Sequence, residues 1–398
     1  MGYSPHRSLN ELYQKESDRV DICEVIEPAF PRVDAAVCLV ASNEYAPFAS
    51  VVIQSIIENA KREKNYDIVV FTDDMFLYNR ERIEAQAKEL CNISIRVMDI
   101  TKIIENLNFY TWAQFTPNTY YRLLAPDLFA QYPKVIYLDS DIVVNHDIAE
   151  LYVTDLEGYY MAAAYDTHVV AYCTQTPPLE QRAYNKETLK MKYPEQYFQA
   201  GIALYNVTLL NETFETGYLI HEATKYQLKW LDQDLVNMLF QDKIKRLPNK
   251  WNVMIANVPY ATDEYYLPAD LRKEYYQARL DPYIVHYVGK AIPCFAEDPD
   301  LYEFFWFYAR KTIFYELLLQ KMCQKNTEYT SMPHVHELYR RINELETALA
   351  GSAAVPKPSL KKRIKALLMP IFNLFFPKGS NRRYRFKRSY FRLRGWEI

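Results

Sequence analysis

Two aspartates one residue apart, Asp139-Ser140-Asp141, directly follow the apolar run VIYL (135–138). At a strand's exit residues i and i+2 face the same side, so both carboxylates can reach one divalent cation. Such a cation would neutralise a diphosphate and stabilise it as a leaving group. The same three residues also suit a plain solvated turn; the buried strand before them favours the metal reading. His286, within IVHYVGK, closes another apolar run. Its imidazole would complete an oxygen-rich site and turn preference toward manganese over calcium, although a lone histidine is often only a hydrogen-bonded structural residue. Gly289 would let the backbone approach a phosphate closely, and Lys290 adds a positive charge or simply faces solvent. Asp232, Gln233 and Asp234 open a helical pattern, where acids are favourable in their own right. Arg122, behind Tyr120 and Tyr121, carries the planar fork that grips phosphates.

These residues need a frame that holds strand ends together. AAVCLVA (35–41), IVVFTDD (68–74) and ISIRVMDI (93–100) read as buried strands, and APFASVVIQSIIENA (46–60) as a helix between the first two. NTYYRLLAPDLFAQY (118–132) reads as a helix leading into KVIYLDSDIVV (134–144). MAAAYD (161–166), GIALYNV (201–207) and YIVHYVG (283–289) read as further strands, and LDQDLVNMLF (231–240) as a helix. Buried strands alternating with helices predict an α/β fold with a mostly parallel sheet covered on both faces. Ligands of such sheets bind beyond the carboxyl ends of the strands, where the residues above are placed. The stretches 166–196 and 255–282 read as loops.

The chain has 398 residues and a net charge of −3. That balance hides an asymmetry: 13 Lys and Arg against Glu397 alone from Lys357 onward, and a net of −15 in the rest. The division expected is a polar leader (1–34), a catalytic domain (35–300), a helical extension (301–350), and a linker with a basic aromatic tail (351–398). In the extension Val335, Leu338, Ile342, Leu345 and Leu349 form an amphipathic stripe, a possible oligomer contact through 333–350. The tail mixes cations with clustered Leu, Phe, Tyr and Trp, which favours an anionic membrane surface over nucleic acid or a merely solvated end. ALLMPIFNLFF (366–376) is too short to span a bilayer. MGYSPHRSLNELYQKES lacks the apolar core of a signal peptide. The six cysteines show neither metal-type pairs nor a disulfide framework, and Cys38 reads as a buried thiol. A cytoplasmic protein, peripheral on the inner face of the membrane, is the expected location.

Seven segments, in order, resemble the family 8 glycosyltransferases, retaining enzymes that include glycogenin and bacterial lipopolysaccharide galactosyl- and glucosyltransferases. They are VASNEY (40–45), TYYRLLAPDLF (119–129), VIYLDSDIVV (135–144), YFQAGIALYNV (197–207), DQDLVN (232–237), LPNKWN (247–252) and HYVGKAIP (286–293). The resemblance implies a Rossmann-like, GT-A type nucleotide-sugar-binding domain. It implies that Asp139, Asp141 and His286 hold Mn2+ (or Mg2+) on the diphosphate of a UDP-sugar. It places Tyr45 on uracil, Val40 and Ser42 by the nucleoside, Ser140 within the D-x-D, and Arg122 near the donor phosphates. Gln199, Gly201, Asp232 and Gln233 would surround the transferred hexose, and a glycan or glycolipid would accept it. Because Gln233 matches a residue facing the reacting carbon and an amide is a poor nucleophile, front-face attack is expected, with a two-step route through Asp234 as the competitor. Two places depart from the family pattern. Ile292-Pro293-Cys294 stands where relatives often carry Lys-Pro-Trp, and Ser42 and Glu44 stand where relatives can carry an Asp and an Asn that read uracil.

Two rivals remain at this point. A strand followed by D-x-D-x-V also opens haloacid-dehalogenase-type phosphatases, although about a hundred residues of α/β pattern precede it here. A catalytically inactive sugar-nucleotide-binding protein would explain the altered last motif.

Overall fold

The computed structural model describes residue 22 and residues 24–113, 115–175, 180–256, 266–296 and 300–330. The amphipathic stripe in 333–350 and the basic tail lie outside the described residues. Contacts divide the chain into a unit running to Met322 and a second from Cys323, of which only the end of the helix Tyr315–Thr330 is described.

β1 (Ala35–Val40) and β2 (Tyr66–Thr72) are buried along their whole lengths, as strands covered on both faces must be. Between them runs the helix Ala46–Asn59. With β3 (Ile93–Asp99), β4 (Lys134–Leu138), β6 (Met161–Tyr165), β7 (Phe198–Asn206) and β8 (Ile244–Arg246) they form a seven-stranded sheet of order β3-β2-β1-β4-β7-β6-β8. β7 runs antiparallel to both neighbours, and the other pairs are parallel.

The run 134–144 is not one strand. β4 ends at Leu138, and β5 (Ile142–Val144) belongs to a separate three-stranded sheet with β9 (Val253–Ala256) and β10 (Ile284–Val288), in the order β5-β10-β9. The turn Asp139-Ser140-Asp141 is therefore the crossing from the large sheet to the small one. The small sheet has its own core, in which Phe48, Val143, Val285, Tyr287, Phe305 and Leu318 are buried.

The segment 118–132 also differs from a single helix. A 3-10 helix, Pro117–Leu124, gives way to a short α-helix, Ala125–Leu128, at Pro126. Pro126 stands in the first turn of that α-helix, where its missing N–H leaves no hydrogen bond unmade, so it marks a helix start and not the interior of one long helix. Nor are 166–196 and 255–282 only loops, since they contain the helices Thr167–Thr174, Glu180–Glu187 and Ala269–Leu280. Cys38 is free and buried, as read from its strand.

Candidate active site

The change of sheet at the D-x-D is what assembles the site. Asp141 directly precedes β5, whose Ile142 pairs with His286 in the middle of β10. The Tyr287 N–H donates to the Asp141 carbonyl at 2.9 Å, and the Asp139 N–H to the Gly201 carbonyl at 2.7 Å. Two carboxylates and an imidazole about 145 residues apart thus share one corner. One ligand atom from each of Asp139, Asp141 and His286 lies within 4.8 Å of the others. His286 Nε2 is 3.2 Å from Asp141 Oδ1 and 3.7 Å from Asp139 Oδ2. The ring is 1% exposed. Burial opposes a charged imidazole, but Asp141 and Asp139 outweigh it and raise the pKa above the ordinary value.

These residues fit a divalent cation. Asp141 Oδ1 is buried with no hydrogen bond of good geometry, His286 Nε2 standing 3.2 Å away, and a cation between them would give it a full partner. Two carboxylate oxygens and one imidazole nitrogen are a donor set suited to Mn2+, Mg2+ or a neighbouring first-row ion. Gly201, on β7, leaves the room: a Cβ there would overlap Asp139 Oδ2 and stand 2.7 Å from His286 Cε1.

Arg122 lies under this corner and joins it to a second carboxylate. Its NH2 nitrogen is 2.9 Å from Asp139 Oδ1, its Nε is 2.9 Å from Asp232 Oδ2, and its guanidinium sits 4.5 Å from the Tyr137 ring centroid. Burial works against the charge of Arg122, but Asp139 and Asp232 raise its pKa and keep it a cation. Asp232 is buried and pushed up to about 7, first by burial, against the opposing pull of Arg122. Its Oδ2 accepts no hydrogen bond of good geometry. Leu231, just before it, holds φ at +50°, a left-handed backbone that a branched side chain rarely adopts. Strain is therefore stored where the helix Leu231–Phe240 begins and presents Asp232 and Gln233.

Gln233 is fixed at both ends. Its Oε1 accepts from the Ala200 N–H at 3.0 Å and its Nε2 donates to Asp166 Oδ2 at 3.0 Å. Asp166 itself caps the helix Thr167–Thr174. Asp234 points into a closed cage, taking hydrogen bonds from Tyr184, Tyr197 and the Trp230 N–H at 2.7, 2.5 and 2.7 Å.

Val40 ends β1, and its carbonyl accepts from the Ser140 hydroxyl at 2.7 Å, which ties the D-x-D turn to the first strand. The Tyr45 N–H donates to the Ser42 carbonyl at 3.0 Å, and Tyr45, 42% exposed, leads into the helix Ala46–Asn59. Gly289 follows β10 with φ +63°, the region that favours glycine. The Lys290 side chain lies outside the described residues. Ile292 and Cys294, the departures from the last motif, are buried in the small-sheet core.

Three contributors escaped the sequence reading. Tyr137 donates to Asp139 Oδ1 at 2.7 Å, and Asn252 lies 3.1 Å from His286 Nδ1. Asp166 orients Gln233. Each had a trace: Tyr137 is two residues before Asp139, Asn252 closes LPNKWN, and Asp166 leaves a strand end.

The family model for glycosyl transferase family 8 matches residues 36–293. Glycosyltransferase GlyB of Streptococcus pneumoniae serotype 4 is 26% identical over 277 residues, 67% of this chain and 60% of that protein. The lipopolysaccharide 1,2-glucosyltransferase of Escherichia coli is 26% identical over 261 residues, 63% of this chain and 70% of that protein. Among solved structures, the WbbM bifunctional glycosyltransferase matches at TM-score 0.68 and 29% identity, over 75% of this chain and 53% of that one. Galactosyltransferase LgtC, solved with donor and acceptor sugar analogs, has the same fold at TM-score 0.56 and 23% identity, over 70% of this chain and 96% of that one. The chain thus spans about three-fifths of GlyB and half of WbbM. The phosphatase alternative drops out, because the D-x-D strand lies fourth in a family-matched domain instead of opening one. With its carboxylates, imidazole and arginine gathered at the D-x-D crossing of a GT-A type α/β fold, the chain belongs to glycosyl transferase family 8.

Proposed function

We propose that this protein is a retaining glycosyltransferase that moves a hexose, glucose or galactose, from a UDP-sugar to a hydroxyl of a glycan or lipid-linked saccharide. The observation that carries this is the meeting of Asp139, Asp141 and His286 within 4.8 Å beside the Arg122–Asp232 pair. Mn2+ or Mg2+ held by those three ligands would neutralise charge on the departing diphosphate. Arg122 supplies a second, fixed positive charge. Asp232 Oδ2, buried beside Arg122 Nε with no hydrogen bond of good geometry, is an acceptor suited to a sugar hydroxyl. Gln233, pinned by Ala200 and Asp166, presents an amide and not a carboxylate to the reacting carbon. Front-face attack follows, with the acceptor's proton passing to the leaving phosphate. Tyr45 stacks on the base, with Val40 and Ser42 beside the nucleoside. The names of the relatives support a lipopolysaccharide or other surface-saccharide acceptor. Among the described residues no helix is long and apolar enough to cross a membrane; contact with anionic lipid is assigned to the basic tail beyond them.

The test is a screen of UDP-hexoses for release of UDP with Mn2+ present. One donor is hydrolysed, and Asp139→Asn and Asp141→Asn each abolish that activity. Release that is indifferent to divalent ions, or tight UDP binding with no turnover of any donor, overturns the reading.

A further inference from the structure

The orientation of His286 can be traced to a main-chain donor two side chains away. The Gly201 N–H lies 2.7 Å from the terminal Oε1 of Gln199. A backbone N–H can only donate, so that Gln199 atom must be the carbonyl oxygen. The Asn252 Nδ2 approaches the same oxygen at 2.8 Å and must be the amide nitrogen, because two carbonyl oxygens do not bond. The remaining Asn252 atom is then its Oδ1, and it lies 3.1 Å from His286 Nδ1. An amide oxygen only accepts. His286 Nδ1 must therefore carry a proton, so Nε2 is the only ring nitrogen that can turn a lone pair to a cation held by Asp139 and Asp141; without a cation it faces their oxygens as a donor. All three side chains are buried, Asn252 at 0% exposure, so water does not offer an alternative partner.

We infer that Gln199 and Asn252 form a positioning relay that fixes the tautomer of His286, with Nδ1 protonated and Nε2 presented to a divalent cation. A metal-bound histidine ordinarily donates its other N–H to a fixed acceptor. What is particular here is that the acceptor could flip. An asparagine can turn its NH2 toward Nδ1, which would move the proton to Nε2 and close the site. Gln199 prevents the flip, and Gly201 prevents Gln199 from flipping in turn. Gly201 is thus the hub of the site: its carbonyl holds Asp139, its N–H sets the imidazole, and its missing side chain leaves room between them.

This inference rests on the metal reading above, and the experiment separates the two. Mn2+ alone is titrated into the full chain and followed by loss of its free EPR signal, with circular dichroism checking the fold. Gln199→Leu, which removes the lock without touching His286, weakens Mn2+ binding about 10- to 100-fold. Adding Asn252→Asp to Gln199→Leu restores most of it, because a carboxylate has no donor to turn toward Nδ1. Gln199→Leu binding Mn2+ like wild type, or a double variant that recovers nothing, overturns the relay. Long-range proton–nitrogen NMR of histidine-labelled wild type shows His286 Nδ1 protonated; an unprotonated Nδ1 overturns the relay even if every variant misfolds. Wild type that binds no Mn2+ sinks the metal reading, while that spectrum still decides the tautomer.

Discussion

Gly201 and Asp139 are so close that the first carries no side chain for the sake of the second. A Cβ at Gly201 would overlap Asp139 Oδ2 and crowd His286 Cε1 at 2.7 Å. Gly201 has an ordinary extended backbone on β7, so alanine meets no conformational barrier there and the whole effect is steric. Gly201→Ala should lower Mn2+ affinity at least about tenfold by pushing Asp139 and His286 apart. Its thermal stability should fall only modestly, by about 1–3 kcal/mol of overpacking. Calorimetric Mn2+ titration beside a melting curve checks both. Unchanged Mn2+ binding in a folded variant would refute the packing argument.

Arg122 contributes a charge where Mn2+ is expected, so the two are competitors for Asp139 and partners toward the diphosphate. Replacing Arg122 by Met keeps much of the apolar stem against Tyr137 and removes the cation. Asp139 Oδ1 then loses its guanidinium partner at 2.9 Å. Mn2+ should bind more tightly, while kcat/KM for the UDP-sugar falls on the order of 10²- to 10³-fold. A variant whose Mn2+ affinity and turnover fall together would mean that Arg122 only props the ligands. The melting temperature should also drop, because Asp232 is left buried without its cation.

The cluster of Asp139, Asp141 and His286 that could hold a metal ion was legible in the sequence because carboxylates at strand exits are a local pattern, and the order of the seven segments supplied the rest. The means by which the ligands meet was not legible. VIYLDSDIVV is uniformly apolar around the D-x-D, and nothing in its periodicity reports that the chain changes sheets at Asp139. The pairing of Ile142 with His286 is a long-range register that one sequence cannot specify. Pro126 is a local signal against one continuous helix over 118–132, and the single-helix reading made no use of it. Asn252 was hidden for another reason. An asparagine acting only through a histidine has no distinctive spacing, and its role emerges from the direction of hydrogen bonds.

Asp234 offers a direct test of front-face attack. Its two oxygens accept from Tyr184, Tyr197 and the Trp230 N–H, and the side chain is fully buried. A carboxylate held this way anchors the start of the helix that presents Gln233. Asp234→Asn should lower the melting temperature, with about 1–3 kcal/mol lost for each tyrosine hydroxyl left without an acceptor. It should leave kcat within about tenfold of wild type once the variant is folded at low temperature. Removing a nucleophile lowers kcat on the order of 10⁴-fold instead. A loss of that size, or a glycosyl adduct trapped on Asp234 of the unaltered enzyme, would establish the two-step route.

Asp127 lies apart from the chemistry, in the short helix Ala125–Leu128, and bears on stability alone. It is 8% exposed, and burial pushes its pKa up to about 7 against a hydrogen bond from the Gly217 backbone. In the unfolded chain it titrates near the ordinary value of about 3.9. Between those values the folded protein holds a proton that the unfolded chain has released, so raising the pH favours unfolding. The Asp127 contribution to stability should therefore decline from about pH 4 to about pH 7 and then level off, the reverse of a salt-bridged aspartate. Asp127→Asn removes the buried charge and keeps an oxygen for the Gly217 N–H. The variant should match wild type near pH 4 and exceed it by about 1–3 kcal/mol at pH 8, after allowing for residual solvent contact. Melting curves at pH 5, 6, 7 and 8 should show a gap that widens with pH. A constant gap, or one that narrows, would show that Asp127 stays ionised in the folded protein.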